Sequence, residues 1–98
     1  MKTDKDLVAQ AKSRIQEVSV EDADQAIKAA DVLIDVRDDL EYAAGHIPGS
    51  VHLSRGMLEF KMSMYPALQS RDLKIVLYCR TSGRAALAAA SLQEMGYL

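Results

Sequence analysis

The sequence has very little cysteine and few aromatic residues, and tryptophan is absent. Cys79 is the single cysteine among 98 residues. An internal disulfide is therefore excluded, and a lone thiol suits a reducing compartment such as the cytoplasm. Aromatic side chains make up 5% of the residues, which argues against a surface that stacks nucleic-acid bases.

Strong charge of one sign and long apolar runs are also absent. The net charge is −2, which gives no electrostatic reason for a nucleic acid or an anionic membrane to bind. Residues 1–6 lack the apolar core of a signal peptide. No run approaches the roughly 18 apolar residues of a membrane span. We expect a soluble cytoplasmic protein with no nucleic-acid or membrane partner.

The composition that remains is that of one small globular domain, with 49% hydrophobic and 27% charged residues. Apolar residues at helix spacing predict helices over residues 4–17, 21–30, 54–64 and 85–95. Apolar runs predict strands over residues 18–20, 32–36, 51–53 and 75–78. Strands that alternate with helices predict an α/β fold, a small parallel sheet with helices on both faces.

The stretch from Ile75 to Arg84 organises this fold. A run that is apolar on both faces predicts a buried, central parallel strand, and Cys79 follows it directly. An alanine-rich helix comes next, so the sulfur lies where a strand ends and a helix begins. Ligands of open α/β sheets bind at such carboxyl ends of strands.

The loop after Cys79 favours an anionic sulfur. The start of a helix has unpaired N–H groups and a partial positive charge, and Arg80 and Arg84 add full charges. The residues between Cys79 and Arg84 can curl into a nest of backbone N–H groups. Gly83 would relax the backbone where that curl is tightest.

Charged residues also cluster where the strand 32–36 ends. Asp35 and Arg37 lie there, and we expect them to form ion pairs that pin the neighbouring loops. Asp38 or Asp39 is expected to cap a short helix that Gly45 closes. His46 lies in the dense turn that follows, where hydrogen bonding to the backbone is a better reading than a role as a base.

Three segments resemble the motifs of rhodanese-type sulfurtransferases. The first is Ile34-Asp35-Val36-Arg37 followed by Glu41-Tyr42, and the second is Gly45-His46-Ile47-Pro48-Gly49-Ser50-Val51-His52-Leu53. The third, Tyr78-Cys79-Arg80-Thr81-Ser82-Gly83-Arg84, resembles the six-residue active-site loop of that family. Their order and separation also fit the family.

The resemblance implies a mechanism. Cys79 would attack the outer sulfur of thiosulfate or of a persulfide and become a cysteine persulfide. The sulfur would then pass to cyanide, to a thiol or to a protein acceptor. Residues Arg80, Thr81, Ser82, Gly83 and Arg84 would form the persulfide-binding loop. No metal and no organic cofactor are needed.

Two departures from the family's pattern affect these expectations. Ala85 stands where family members often have serine. The family's last strand and helix have no counterpart before Leu98, so we expect a single domain over residues 1–98 that is truncated at its C-terminus. Residues 1–17 would be an N-terminal helical extension. In the family that last strand lies inside the sheet, so its loss would leave a gap between neighbouring strands unless another segment or a partner chain fills the slot.

Several alternatives stay open. Arg84 could brace the loop or contact the substrate, and Arg80 could contact thiosulfate. The protein could be a persulfide carrier or a regulatory binding module with little turnover. Cysteine phosphatases and arsenate reductases share the fold, but their loops carry five residues between cysteine and arginine. Here there are four, a tighter cradle that suits one sulfur atom better than a tetrahedral phosphate.

Overall fold

A computed structural model of the protein describes residues 2–19, 21–80 and 83–97. Within those ranges the chain forms five α-helices, two 3₁₀-helices and three strands. Helices α1 to α5 are Asp4–Lys12, Ala23–Ala29, Asp39–Ala44, Leu58–Met64 and Gly83–Glu94. The 3₁₀-helices are Arg55–Met57 and Pro66–Leu68, and strands β1 to β3 are Val32–Asp35, Val51–His52 and Ile75–Tyr78. In these ranges, no helix is long and apolar enough to cross a membrane.

The three strands form one parallel sheet in the order β2-β1-β3. This confirms the predicted α/β fold, a small parallel sheet flanked by helices. Ile34 in β1 is paired with Val51 and with Leu77, so the carboxyl ends of all three strands meet at one edge. That edge carries the loop after Cys79 and the charged residues after β1.

The prediction that β3 is the buried central strand is wrong. The middle strand is β1, whose Ile34 is fully buried, whereas every residue of β3 is only half-buried. The carbonyls of Lys74 and Tyr78 accept hydrogen bonds from residues 32 and 36 on the β1 side. Backbone groups alternate in direction along a strand, so those of Ile75 and Leu77 point away from β1. Among the described residues, no strand pairs with that side.

A groove with apolar and polar lining lies along this open side of β3. Two adjoining cavities of about 290 and 580 Å³ share a lining of Ile15, Gln16, Val18, Ile75, Leu77 and Ala89. In the described part of the chain, this open side of β3 agrees with the expectation of a gap in the sheet. The predicted strand over residues 18–20 is wrong for Val18 and Ser19, which are in no strand. Val20 lies outside the described residues.

Helix α1 ends five residues earlier than its periodicity predicts. It ends at Lys12, where the hydroxyl of Ser13 donates to the carbonyl of Gln10 at 2.6 Å. The side-chain amide of Gln93 in α5 donates to the carbonyl of Arg14 at 2.9 Å. This carbonyl is therefore bonded to another helix, and the chain leaves the axis of α1 before Ile15.

The core lies between the sheet and helices α4 and α5. Its fully or almost fully buried side chains are Ile34, Val36, Leu53, Leu58, Met62, Ala88, Leu92 and Tyr97. The small alanines of α5 allow this helix to approach the sheet closely. The helix ends at Glu94, and Gly96 follows it with a φ of 100° that favours glycine; the N–H of Tyr97 then donates to the carbonyl of Leu92 at 3.0 Å.

Candidate active site

The Cys79 sulfur lies between the end of β3 and the first turn of α5. The thiol is half-buried, and the backbone N–H of Ala85 donates to Sγ at 3.3 Å. The first N–H groups of a helix have no partner within the helix, and the helix dipole places partial positive charge there. The site therefore places a backbone donor and the positive end of the helix dipole at the sulfur. Ala85 lacks a hydroxyl, but its backbone supplies this contact.

The structure describes part of the loop that follows Cys79. Arg80 is exposed and makes no hydrogen bond or ion pair with any described residue. Thr81 and Ser82, which we expect to complete the persulfide-binding loop, lie outside the described residues. Gly83 is the first residue of α5. The curl in which Gly83 is expected to relax the backbone also contains Thr81 and Ser82, so that prediction lies outside the described residues.

Arg84 is held by Glu41 from the opposite side of the loop. Its Nη1 and Nη2 donate to Oε1 and Oε2 of Glu41 at 2.6 and 3.0 Å. The Arg84 hydrogen bonds lower the pKa of Glu41 to about 2, and Glu41 in turn raises the pKa of Arg84. Because Nη1 and Nη2 both donate to the same carboxylate, the geometry favours the bracing role for Arg84. The pair joins the start of α5 to α3, 43 residues apart in sequence.

Glu41 was not among the predicted site residues, although it lies in one of the three motifs. The Asp38 carboxylate accepts from the N–H of Glu41 at 2.9 Å, and the Glu41 carboxylate accepts from the N–H of Asp38 at 3.3 Å. This capping box confirms Asp38 as the cap of α3. A glutamate three residues after a cap is a visible signal, but its pairing with Arg84 depends on the fold.

The pH dependence of stability tests the Glu41–Arg84 pair. The pKa of Glu41 is lowered on folding, so its stabilising effect is fully present above its ordinary value and is lost as the pH falls toward about 2. We expect the free energy of unfolding to fall more steeply below about pH 4.5 in the wild type than in Glu41→Gln. Urea unfolding across this range measures the difference, and parallel curves would contradict the pairing.

Asp35 and Arg37 form the predicted ion pair at the end of β1. The Asp35 side chain is fully buried and accepts from the Arg37 N–H at 2.9 Å, from Nε at 3.0 Å and from Nη2 at 2.7 Å. Burial works to raise the pKa of Asp35, but the hydrogen bonds from Arg37 outweigh it and the pKa is lowered. Arg37 Nη2 also donates to the carbonyl of Gly45 at 2.7 Å. The pair thus fixes the turn that follows α3.

Tyr78 anchors the same turn against the end of β3. Its hydroxyl accepts from the N–H of Ile47 at 3.1 Å and donates to Oγ of Ser50 at 3.3 Å. The guanidinium of Arg37 lies 5.5 Å from the centre of the Tyr78 ring. Tyr78 opens the third motif, but the sequence alone assigned no role to its hydroxyl. The sequence feature that could have indicated this role is a tyrosine, with its polar hydroxyl, at the end of an otherwise apolar run and directly before Cys79.

Replacing Tyr78 by phenylalanine removes both hydrogen bonds and keeps the ring. We expect Tyr78→Phe to lower the free energy of unfolding by about 1–2 kcal/mol, because the Ile47 N–H loses its partner in a half-buried position. Urea unfolding measures this loss. Tyr65→Phe is the matched control, since Tyr65 is exposed. An equal effect of the two substitutions would show that the hydroxyl of Tyr78 anchors nothing.

Both histidines hydrogen-bond to backbone carbonyls. Nδ1 of His46 lies 3.0 Å from the carbonyl of Tyr42, and Nε2 of His52 lies 2.8 Å from the carbonyl of Arg37. Both rings stack on the Tyr42 ring, at centroid distances of 3.8 and 4.4 Å. The backbone bond predicted for His46 is confirmed.

Comparison with known proteins agrees with this fold and site. The model of the rhodanese-like domain family matches residues 19–98. This chain therefore belongs to the rhodanese-like domain family.

Relatives of the chain include proteins named for sulfur chemistry. A sulfurtransferase of Allochromatium vinosum is 35% identical over 66 residues, which cover 67% of this chain and 58% of that protein. YrkF of Bacillus subtilis, provisionally named a sulfur carrier protein, is 32% identical over 87 residues, or 87% of this chain and 45% of that protein. The chain thus spans about half the length of these two relatives.

A solved structure resembles the chain over almost its whole length. It is that of a Rhodopseudomonas palustris protein of unknown function, described as a possible tyrosine phosphatase. The TM-score is 0.87 at 35% sequence identity, and the match covers 98% of this chain and 79% of that chain. The likeness confirms the fold.

Proposed function

We propose that this protein is a sulfurtransferase that carries sulfur as a persulfide on Cys79. The observation that carries the proposal is the contact between the Cys79 sulfur and the N–H of Ala85 at the start of α5, in a chain of the rhodanese-like family. A thiolate is the nucleophilic form of cysteine. The N-terminus of α5 stabilises both this thiolate and the persulfide anion that follows it.

The reaction takes place in two steps. In the first, the Cys79 thiolate attacks the outer sulfur of thiosulfate or of a related sulfane-sulfur donor. The bond inside the donor breaks, and sulfite leaves thiosulfate with the bonding electrons. In the second step, cyanide or a thiol attacks the outer sulfur of the Cys79 persulfide and the Cys79 thiolate leaves. The protein is then restored, and the intermediate makes this covalent catalysis.

The acceptor distinguishes two forms of the proposal. An enzyme would turn over small acceptors such as cyanide, whereas a carrier would give its sulfur to a partner protein. The relative YrkF, named as a sulfur carrier, supports the carrier as the alternative. A regulatory module with little turnover is a further one. In each form we place the protein in the cytoplasm, where its single thiol stays reduced.

Phosphatases are the competing enzyme class. The description of the Rhodopseudomonas palustris protein as a possible tyrosine phosphatase is the reason to consider them. Loop length argues against this class. Four residues separate Cys79 from Arg84, and the phosphatase loop carries five. The Arg84 guanidinium is also turned to Glu41, whereas an enzyme that holds a phosphate dianion needs such a cation free.

Intact mass spectrometry tests the proposal. The purified protein is incubated with a sulfane-sulfur donor and then with cyanide. We expect a gain of one sulfur atom per chain, which cyanide or dithiothreitol removes. A mass that never changes, together with hydrolysis of a phosphate ester, would replace the proposal by the phosphatase reading.

A further inference from the structure

We propose that this site prefers monoanionic sulfane-sulfur donors, such as persulfides and thiosulfonates, over the thiosulfate dianion. The inference rests on the proposed function, because it concerns the donor for Cys79. It follows from the charges around the sulfur, most of which are already neutralised within the protein.

Two of the arginines at the carboxyl edge of the sheet are occupied by carboxylates. Both guanidinium ends of Arg84 face the Glu41 carboxylate, at 2.6 and 3.0 Å. Arg37 is bonded to the buried carboxylate of Asp35 at 2.7–3.1 Å. Paired charges at these distances largely cancel for a third charge nearby. Neither arginine therefore offers a full positive charge to an incoming donor.

The remaining charges at this edge do not favour a dianion. Arg80 is the one cation of the Cys79 loop without a partner among the described residues. Asp38 and Asp39 begin α3 at the same edge, and the side chain of Asp39 is 93% exposed. The Asp38 carboxylate accepts from the N–H of Glu41, and Asp39 Oδ1 lies 3.6 Å from Nδ1 of His52. This edge thus carries two further carboxylates beside the one unpaired guanidinium of Arg80. The N-terminus of α5 and the N–H of Ala85 add about half a positive charge, which suits a single negative charge on sulfur.

The charge of the donor changes the first step. Thiosulfate brings two negative charges toward the Cys79 thiolate, and its leaving group, sulfite, also carries two. A thiosulfonate or a persulfide anion brings one charge and leaves as a sulfinate or a thiolate with one. In each case the bond from Cys79 to the outer sulfur forms while the sulfur–sulfur bond of the donor breaks. The smaller donor charge therefore reduces repulsion at the thiolate throughout the step.

Methanethiosulfonate and thiosulfate form a matched pair of probes, because a methyl group in one replaces an anionic oxygen in the other. The second-order rate of Cys79 persulfide formation is measured by intact mass for each donor. Each rate is divided by the rate of the same donor with N-acetylcysteine thiolate, which removes the difference in intrinsic reactivity. We expect the corrected ratio to favour methanethiosulfonate by about tenfold, the effect of one charge near a protein surface.

Three substitutions test the origin of the preference. Glu41→Gln keeps a hydrogen-bond acceptor for Arg84 and for the capping box but removes the charge, so it should shift the ratio toward thiosulfate by about three- to tenfold. Arg80→Gln should shift it the other way by a similar factor. Glu94→Gln is the matched control with the same charge change. Glu94 lies at the C-terminal end of α5, about 16 Å along the helix axis from Gly83. Its replacement should therefore leave the ratio unchanged.

The outcomes separate this inference from the proposed function. Persulfide formation with both donors at equal corrected rates would overturn the donor preference and leave the sulfurtransferase proposal standing. A ratio that Glu41→Gln moves no more than Glu94→Gln does would also overturn it, since pairing of Arg84 would then be irrelevant to the donor. Absence of sulfur on Cys79 with every donor would overturn both.

Discussion

The Cys79→Ser variant is expected to gain no sulfur from any sulfane donor, and sulfur transfer should fall by at least about a thousandfold. A serine hydroxyl at neutral pH is a far weaker nucleophile than a thiolate, and the one hydrogen bond to this side chain from the described residues comes from the Ala85 N–H, which is not a base. The hydrogen bond from the Ala85 N–H at 3.3 Å can pass to the new oxygen. The variant should therefore keep the loop and lose the chemistry.

Folding of the variant must be checked separately. Cysteine and serine are close in size, so we expect the free energy of unfolding to change by about 1 kcal/mol or less. Urea unfolding and circular dichroism measure this. Sulfur transfer retained by a folded Cys79→Ser protein would refute the assignment of Cys79 as the nucleophile.

The Asp35→Asn variant should lose about 3 kcal/mol of its free energy of unfolding. Asp35 is fully buried and its carboxylate accepts three hydrogen bonds from the Arg37 side chain. Removing one partner of a buried ion pair leaves the other charge without compensation, which costs about 3–5 kcal/mol. We take the lower end because Arg37 stays 17% exposed. The free energy of unfolding of a small domain is about 5–15 kcal/mol, so this loss would be a large part of its stability.

Urea unfolding of Asp35→Asn and Asp24→Asn gives the matched comparison. Asp24 is an exposed residue in α2, and its replacement should change the free energy of unfolding by less than about 0.5 kcal/mol. If Asp35→Asn were as mild as Asp24→Asn, the ion pair would not be what holds the end of β1 and the turn at Gly45 in place.

Local patterns predicted much of the site correctly. The cap at Asp38, the end of α3 before Gly45 and the placement of Cys79 between a strand and a helix all depend on residues close in sequence. The Asp35–Arg37 pair is also local, since its members are two residues apart. Such features are visible because the physical contact and the sequence spacing coincide.

Residues whose partners are distant in sequence were missed or misread. Glu41 was absent from the predicted site, although it meets Arg84 43 residues later. Tyr78 was assigned to a strand and to the third motif but was given no role of its own, although its hydroxyl donates to Ser50, 28 residues away. Helix α1 was predicted too long, and just beyond its end the carbonyl of Arg14 accepts from Gln93, 79 residues away, a bond that local periodicity does not reveal.

The α/β class, the family resemblance and the position of Cys79 at the start of a helix can all be predicted from the amino-acid order. These features follow from apolar periodicity, capping and motif spacing, which act over a few residues. The central position of β1 in place of β3 and the pairing of Arg84 with Glu41 arise from contacts between distant segments and become visible in the folded chain. A strand apolar on both faces can lie in the middle of a sheet or beside an open groove. Which of these it does depends on the strands that pair with it, and its own residues do not record that choice.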